Sequence, residues 1–386
     1  MCQRLFAWGC AVLVVAVAVS ASACASTTSP PAPTPTLSAN LKAQESSPAA
    51  TKSAPQPTAP SSASPKTVGT PGAPNLASPS KVNFGMIPAV MAAPSYVAFE
   101  KGYLKNEAIE LGIEGFPDTV KIMTLVATGK LQLGQVTMGV AAFNAFARKA
   151  DMVIVASANQ EASTYMVVRK DLVDSGAVKS VADLKGRKVA LNGKGTVLEY
   201  SLSKVLEKGN VKMADVDIPI LPWPEMVVAL QNKAIDAGLI AEPLASKAVS
   251  VGAGVILKEA HVPRGQYGTI LANSIWAREN PQVVVNYLVG YLKALREMNE
   301  GKLNRDPVAL GIVSKYTKTP IETLEKIPGP YWDPNGRLDK KSIQDVQQFF
   351  IENKAVQYTE PIPLNSMIDE SYLEKALAIV GTEPKQ

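Results

Sequence analysis

Beyond residue 24 the chain contains no cysteine. Its three cysteines are Cys2, Cys10 and Cys24, and the remaining 362 residues hold none. A disulfide framework, a cysteine-based zinc site and a thiol nucleophile are therefore excluded from the folded part. Histidine is nearly missing too. The one histidine, His261, rules out a multi-histidine metal site and a His/Cys catalytic pair; no motif surrounds it, and it reads as a surface or lobe-edge residue. Basic blocks are also lacking. The 39 Lys and Arg and 34 Asp and Glu are scattered, for a net charge of +5, whereas a nucleic-acid footprint needs clustered cations. No paired-carboxylate motif for acid–base hydrolysis stands out.

The first 24 residues do carry a signal. Arg4 precedes an apolar run from Leu5 to Val19, and Ala21-Ser22-Ala23 forms a small-residue cleavage site directly before Cys24. This resembles a bacterial lipoprotein signal, with residues 1–23 removed and Cys24 lipidated as the mature N-terminus. Ala21 departs from the usual Leu. Simple cleavage after Ala23 and an uncleaved anchor remain as alternatives. A diacyl anchor holds stably, at about 0.8 kcal/mol per buried CH₂. The stretch from Ala25 to Ser80 is rich in Ser, Thr, Ala and Pro. It holds 12 of the 29 prolines and no Phe, Tyr or Trp. Too little apolar area is available there to fold, so residues 24–80 read as a lipidated cysteine followed by a disordered tether.

The globular part is organised around Ile220 to Val249. The spacing of Val227, Leu230 and Ala234 predicts a helix from Met226 to Lys233, followed by a buried strand from Ile235 to Ile240 and a turn at Ala241-Glu242-Pro243. Val120 to Ala142 echoes this stretch when Gly134 is aligned with Gly238. The echo suggests two lobes of similar build. In open α/β sheets, ligands bind where strand C-termini feed loops and helix N-termini.

Taken in order, strands are expected at Lys81–Ile87, Ile109–Glu114, Leu133–Val136, Met152–Ser157, Tyr165–Arg169, Arg187–Leu191, Gly254–Leu257 and Tyr267–Ala272. Helices are expected at Ser95–Lys101, capped by Ser95, at Asp118–Thr128, capped by Asp118, at Val140–Lys149 and at Thr196–Lys208. Five more follow near Asn280–Asn299, Pro307–Lys315, Ile321–Lys326, Lys340–Asn353 and Asp369–Ile379. The alternation predicts an α/β fold with a largely parallel sheet.

Several segments, in this order, form a recognisable pattern: Tyr96 to Glu107 (YVAFEKGYLKNE), Leu125 to Gly134, Val181 to Leu191 with Asp183-Leu-Lys-Gly186, Gly193 to Thr196 (GKGT), and Ala229 to Pro243 (ALQNKAIDAGLIAEP). Residues 81–300 thereby resemble the periplasmic solute-binding proteins of ABC importers, nitrate/sulfonate/taurine type, whose relatives bind thiamine pyrimidine precursors and riboflavin. Gln132 departs from the pattern, which often has Asp there; Asp236 keeps it. The resemblance implies a two-lobed fold of the type II kind. Lobe 1 would be residues 81–170 plus 266–386, and lobe 2 residues 171–265, joined near Arg169–Lys170 and Gln266–Tyr267. It implies closure on a small solute by rigid-body rotation and delivery to the transmembrane subunits of an ABC permease. The expected protein is a monomer on the outer face of the cell membrane, without cofactor, metal or nucleic-acid partner. A membrane-tethered ligand sensor, or a pyrimidine-synthase-like enzyme, is the alternative. The enzyme lacks its His and Cys ligands in this chain.

Ligand contacts are expected from loops at strand ends in both lobes. Lobe 1 offers Met91, Ala92 and Ala93; Thr137, Met138 and Gly139; and Asn159, Gln160 and Glu161. Lobe 2 offers Gly193, Lys194, Gly195 and Thr196; Trp223; and Glu242. The Gly193–Thr196 turn either holds an anion on its backbone N–H groups or is a plain Gly-rich turn capped by Thr196. Lys194 either adds charge to the site or faces water. Trp223 either stacks on a planar ligand or packs within its lobe. Glu242 either meets a ligand amine or caps the next helix. The uncharged, Met-containing first loop favours an organic solute over nitrate alone.

Overall fold

A computed structural model describes residues 78–384 apart from 162, 299–302 and 328. The signal segment, Cys24 and most of the tether lie outside the described residues. Among the described residues nine strands form two sheets. The first four are β1 (Ser80–Met86), β2 (Ile109–Gly115), β3 (Leu133–Thr137) and β4 (Met152–Asn159). They are followed by β5 (Thr164–Arg169), β6 (Val189–Ala190), β7 (Ala237–Ala241), β8 (Gly254–His261) and β9 (Gly268–Asn273). The first sheet runs β2-β1-β3-β9-β4 and the second β6-β7-β5-β8.

Each sheet is largely parallel, with a single reversed strand. β1 pairs in parallel with β2 and β3, and β6 with β7, but β9 runs antiparallel to β3 and β4, and β5 antiparallel to β7 and β8. The cause is the path of the chain. β5 enters the second sheet straight from β4, and β9 enters the first straight from β8, so each sheet receives one strand from the opposite side. The chain thus passes between the sheets after Asn159 and before Thr164, while Arg169–Lys170 lie at the far end of β5. Between β8 and β9, in a second crossing, the chain returns to the first sheet through residues 262–267. Strand β6 is shorter than the expected Arg187–Leu191, with single bridges at Lys188 and Leu191 flanking it.

Helices connect the strands of the first lobe: α1 (Ala93–Glu100), α2 (Tyr103–Asn106), α3 (Thr119–Ala127) and α4 (Val140–Ala147). The second holds α5 (Lys170–Asp174), α6 (Val197–Glu207), α7 (Trp223–Gln231) and α8 (Leu244–Ser250). The chain ends in α9 (Ser274–Glu279), α10 (Pro281–Met298), α11 (Pro307–Thr317), α12 (Ile321–Leu324), α13 (Lys340–Glu352) and α14 (Ser371–Val380). Asp118 caps α3 by accepting from the Lys121 N–H at 2.9 Å. Ser95 is not a cap: α1 begins two residues earlier, from a 3₁₀ turn at Val90–Ala92, with Pro94 in its first turn. Helix α7 likewise starts at Trp223, because Pro224 in its first turn needs no N–H partner. Buried α10, α11 and α14 pack with α1 and the first sheet. Each large apolar side chain there contributes about 1.5–3 kcal/mol. A second cluster runs continuously from the first lobe through α13 into the second lobe.

Candidate functional site

The candidate site lies where turns after β3 and β6 share one cavity. In the first lobe, Met91 is half-buried, while Ala92 and Ala93 are buried in the core and form wall rather than lining. The Met91 carbonyl accepts from Trp332 Nε1 at 3.1 Å and from Gln135 Nε2 at 3.4 Å. The first loop is therefore braced from the C-terminal segment. Met138 is also fully buried. Its N–H donates to the Tyr267 carbonyl at 3.0 Å, tying the β3–α4 turn to the second crossing. Asn159 is buried at the end of β4, and its Nδ2 donates to the Glu161 carbonyl at 2.8 Å. Gln160 Nε2 donates to the Arg337 carbonyl at 2.7 Å. Glu161 faces Arg264 at 3.8 Å, and Arg264 lies over the Tyr331 ring at 4.2 Å.

In the second lobe the Gly193–Thr196 turn leads into α6. Thr196 Oγ1 donates back to the Gly193 carbonyl at 3.1 Å, so its side chain does not cap the helix. The Gly195 N–H donates to Glu199 Oε2 at 2.6 Å. One backbone donor expected to face an anion is thus occupied by the helix's own carboxylate. Lys194 is exposed. Beside the turn, Asn192 Oδ1 is buried without a partner among the described residues. Trp223 Nε1 donates to the Leu239 carbonyl at 3.2 Å, and its ring packs on two core clusters of the lobe, which is the lobe-packing role. Glu242 accepts from the Ser246 N–H at 3.0 Å and from Ser246 Oγ at 2.8 Å, the capping role for α8. Burial raises the Glu242 carboxyl above its ordinary range, opposed by those Ser246 bonds. Burial, and then the charges of Glu242 and Glu161, push the Tyr165 hydroxyl up to about 12. His261 is exposed at the end of β8, as expected.

At the cleft, a turn from one lobe meets a turn from the other. The Val140 N–H, at the start of α4, donates to the Gly195 carbonyl at 2.8 Å. Gly139 makes this approach possible, since a Cβ there would sit 2.6 Å from that carbonyl oxygen. Gly195 has φ +71°, a left-handed conformation that costs glycine little. Next to the contact lies a cavity of about 430 Å³, within the range of small-ligand sites. Thr137, Gly139, Lys194, Gly195 and Thr196 line it, with Val120 and Met123 on its apolar side. It offers hydroxyls, an ammonium group and a hydrocarbon wall. Met91 to Ala93, Asn159 to Glu161, Trp223 and Glu242 lie outside that cavity.

Sequence reasoning missed Trp332, Tyr331, Gln135 and Arg264. A usable signal was present for the first two, since Pro330-Tyr-Trp-Asp-Pro334 places an aromatic pair between prolines. Among the described residues, no group of three or more His, Cys, Asp or Glu is placed to hold a metal ion, and no helix is long and apolar enough to cross a membrane.

Residues 90–300 match the family described as NMT1/THI5 like. A curated Escherichia coli (strain K12) protein named for binding aliphatic sulfonates is 26% identical over 215 residues, covering 55% of this chain and 63% of that protein. The chain thus spans a little under two thirds of that relative's length. The solved alkanesulfonate-binding protein SsuA from Xanthomonas axonopodis pv. citri, bound to MOPS, is similar with a TM-score of 0.56 and 19% identity, over 74% of this chain and 96% of that one. The desulfurization enzyme DSZB is similar with a TM-score of 0.54 and 15% identity, over 77% and 99%. At these identities the solved structures establish the two-lobed α/β fold, and activity has to be argued from the site.

Proposed function

This chain belongs to the NMT1/THI5-like family, and we propose that it is an extracytoplasmic solute-binding protein. In this reading it captures a small organic anion with an apolar portion between its lobes and delivers it to an ABC permease. The observation that carries the reading is the bond from the Val140 N–H to the Gly195 carbonyl beside a cavity that pairs Lys194 and three threonines with Met123 and Val120. The names of the sulfonate-binding relatives support the same solute class. We assign residues 78–159 and 268–384 to the first lobe and 164–261 to the second, with Cys24 as the lipid anchor.

Binding is favoured over catalysis by the residues at the loops. The fold is shared with an enzyme, but the cleft loops of this chain contain neither cysteine nor histidine. Thiol or imidazole chemistry therefore has no group to perform it.

Thermal unfolding of the full-length chain in detergent tests the reading. A ligand that binds only the native state stabilises it by RT ln(1 + [L]/Kd). MOPS and linear alkanesulfonates should raise the melting temperature, while nitrate, pyrimidines and flavins should raise it less. No shift with any sulfonate would overturn the assigned solute class. For the anchor, Cys24→Ala should abolish labelling by a radioactive fatty acid, and persistent labelling would reject lipidation at that residue.

A further inference from the structure

Helix α13 touches both lobes through two adjacent phenylalanines. Phe350 is fully buried and meets Phe143 of α4, in the first lobe, at a centroid distance of 6.4 Å. Phe349 is only partly buried and meets Tyr200 of α6, in the second lobe, edge-on at 5.6 Å and 69°. The helix belongs mechanically to the first lobe. Gln266, wholly buried in the second crossing, fixes its start. Its N–H donates to Ser342 Oγ at 2.9 Å, its Oε1 accepts from the Asp339 N–H at 2.9 Å, and its Nε2 donates to Ser157 Oγ of β4 at 2.9 Å. Beside this junction a crevice of about 190 Å³, lined by Tyr200, Lys204, Arg264 and Asp345, separates α6 from the start of α13.

Tyr200 lies five residues after Gly195 on the same turn and helix. A rotation that pulls Gly195 away from Val140 therefore carries Tyr200 away from Phe349. Both contacts are made in one arrangement of the lobes, and only one of them is near the proposed solute cavity. We propose that the Phe349–Tyr200 contact is a closure latch. Phe349 and Tyr200 are positioning residues that hold the lobes together without touching solute. An edge-to-face aromatic pair favours the state containing it about two- to tenfold beyond its buried area. The proposal rests on the reading that the lobes close, but its test needs no solute.

The test is hydrogen exchange read by mass spectrometry on the full-length, solute-free chain in detergent. The reporter is the Val140 amide, bonded across the cleft. In Phe349→Ala, and separately in Tyr200→Ala, peptides containing Val140 should exchange about two- to tenfold faster, while peptides from β3 and β7 stay protected as in the parent chain. The double variant should exchange no faster than either single one, because both remove the same contact. Tyr200→Phe keeps the ring and should behave as the parent. Unchanged exchange at Val140 in both single variants overturns the latch. So does faster exchange spread through β3 and β7, which indicates general loosening, or full additivity in the double variant. A failed sulfonate panel would leave this readout intact, so the latch and the solute class are judged separately.

Discussion

The two lobes are built to one plan. Helices α3 and α7 start at 119 and 223 and strands β3 and β7 at 133 and 237, so a single offset of 104 residues relates them. Gly129 and Lys233, between helix and strand, are both left-handed, at φ +72° and +60°. β1 and β6 flank the central strands in the same register, with Phe84 opposite Leu133 and Val189 opposite Ala237. The lobes differ in how they satisfy one shared backbone position. In the first, Gln132 accepts from the Asn83 N–H at 2.9 Å through a neutral amide. In the second, Asp236 accepts from the Lys188 N–H at 2.9 Å and also pairs with Arg169 at 3.2 Å. The residue facing Arg169's place in the first lobe is Asn273, which donates to the Val126 carbonyl at 2.8 Å. The carboxylate of the second lobe thus meets a guanidinium on the crossing strand, whereas in the first lobe the Asn273 side chain bonds backbone carbonyls of Val126 and Asp151.

The largest expected effect lies where the two repeats meet. Gly139→Val would drive its Cβ into the Gly195 carbonyl, and sulfonate affinity should fall on the order of a hundredfold, about 3 kcal/mol, in calorimetric titration. Each lobe should stay folded. Affinity within threefold of the parent would show that the contact is not part of the bound state. Next comes the shared backbone position. Asp236→Ala should cost about 2 kcal/mol in chemical denaturation, because it unpairs the Lys188 N–H and removes a partner of Arg169. Gln132→Ala should cost about 1 kcal/mol. Equal losses would mean that the charge adds nothing.

A smaller effect separates the braces of the two cleft loops. The first lobe holds its loop from outside, through Trp332, and the second from its own helix, through Glu199. Trp332→Phe should cost about 1 kcal/mol and leave the second lobe untouched. Glu199→Gln removes negative charge at the start of α6, and should tighten a sulfonate about two- to fivefold; weaker binding would place the anion elsewhere. The smallest effect is at Glu242. Its carboxyl is raised in the folded protein, chiefly by burial. The neutral form is therefore favoured on folding. That stabilisation is fully present below the unfolded carboxylate range and is lost as pH rises through the raised value. Glu242→Gln should raise the melting temperature by about 1 °C at neutral pH, with the gain vanishing in acid. A gain that persisted in acid would assign it to a cause other than charge.

Much of this is legible in the sequence alone. The echo aligned on Gly134 and Gly238 is the repeat itself, because helical spacing and a short apolar strand survive divergence of the residues between them. The return of the strand near Tyr267–Ala272 to the first lobe was also readable. Strand direction was not, since β5 and β9 carry the same apolar composition whichever way they run. The residues lining the cavity include five of those expected from loop position. Trp223 and Glu242 lie outside the cavity, because whether a side chain turns toward solute or back toward Leu239 or Ser246 is decided by tertiary packing. Trp332 and Phe349 were hidden for another reason: they act across more than a hundred residues of sequence, at distances no local pattern encodes.

The double crossing has a further consequence for how the protein is made. β9 fills the slot between β3 and β4, yet it is synthesised more than a hundred residues after β4. Until residue 273 has emerged, β3 and β4 each present an open edge toward the other. A nascent first lobe is therefore an unfinished sheet that only the passage of the second lobe can complete, whereas the second sheet draws all its strands from one contiguous stretch.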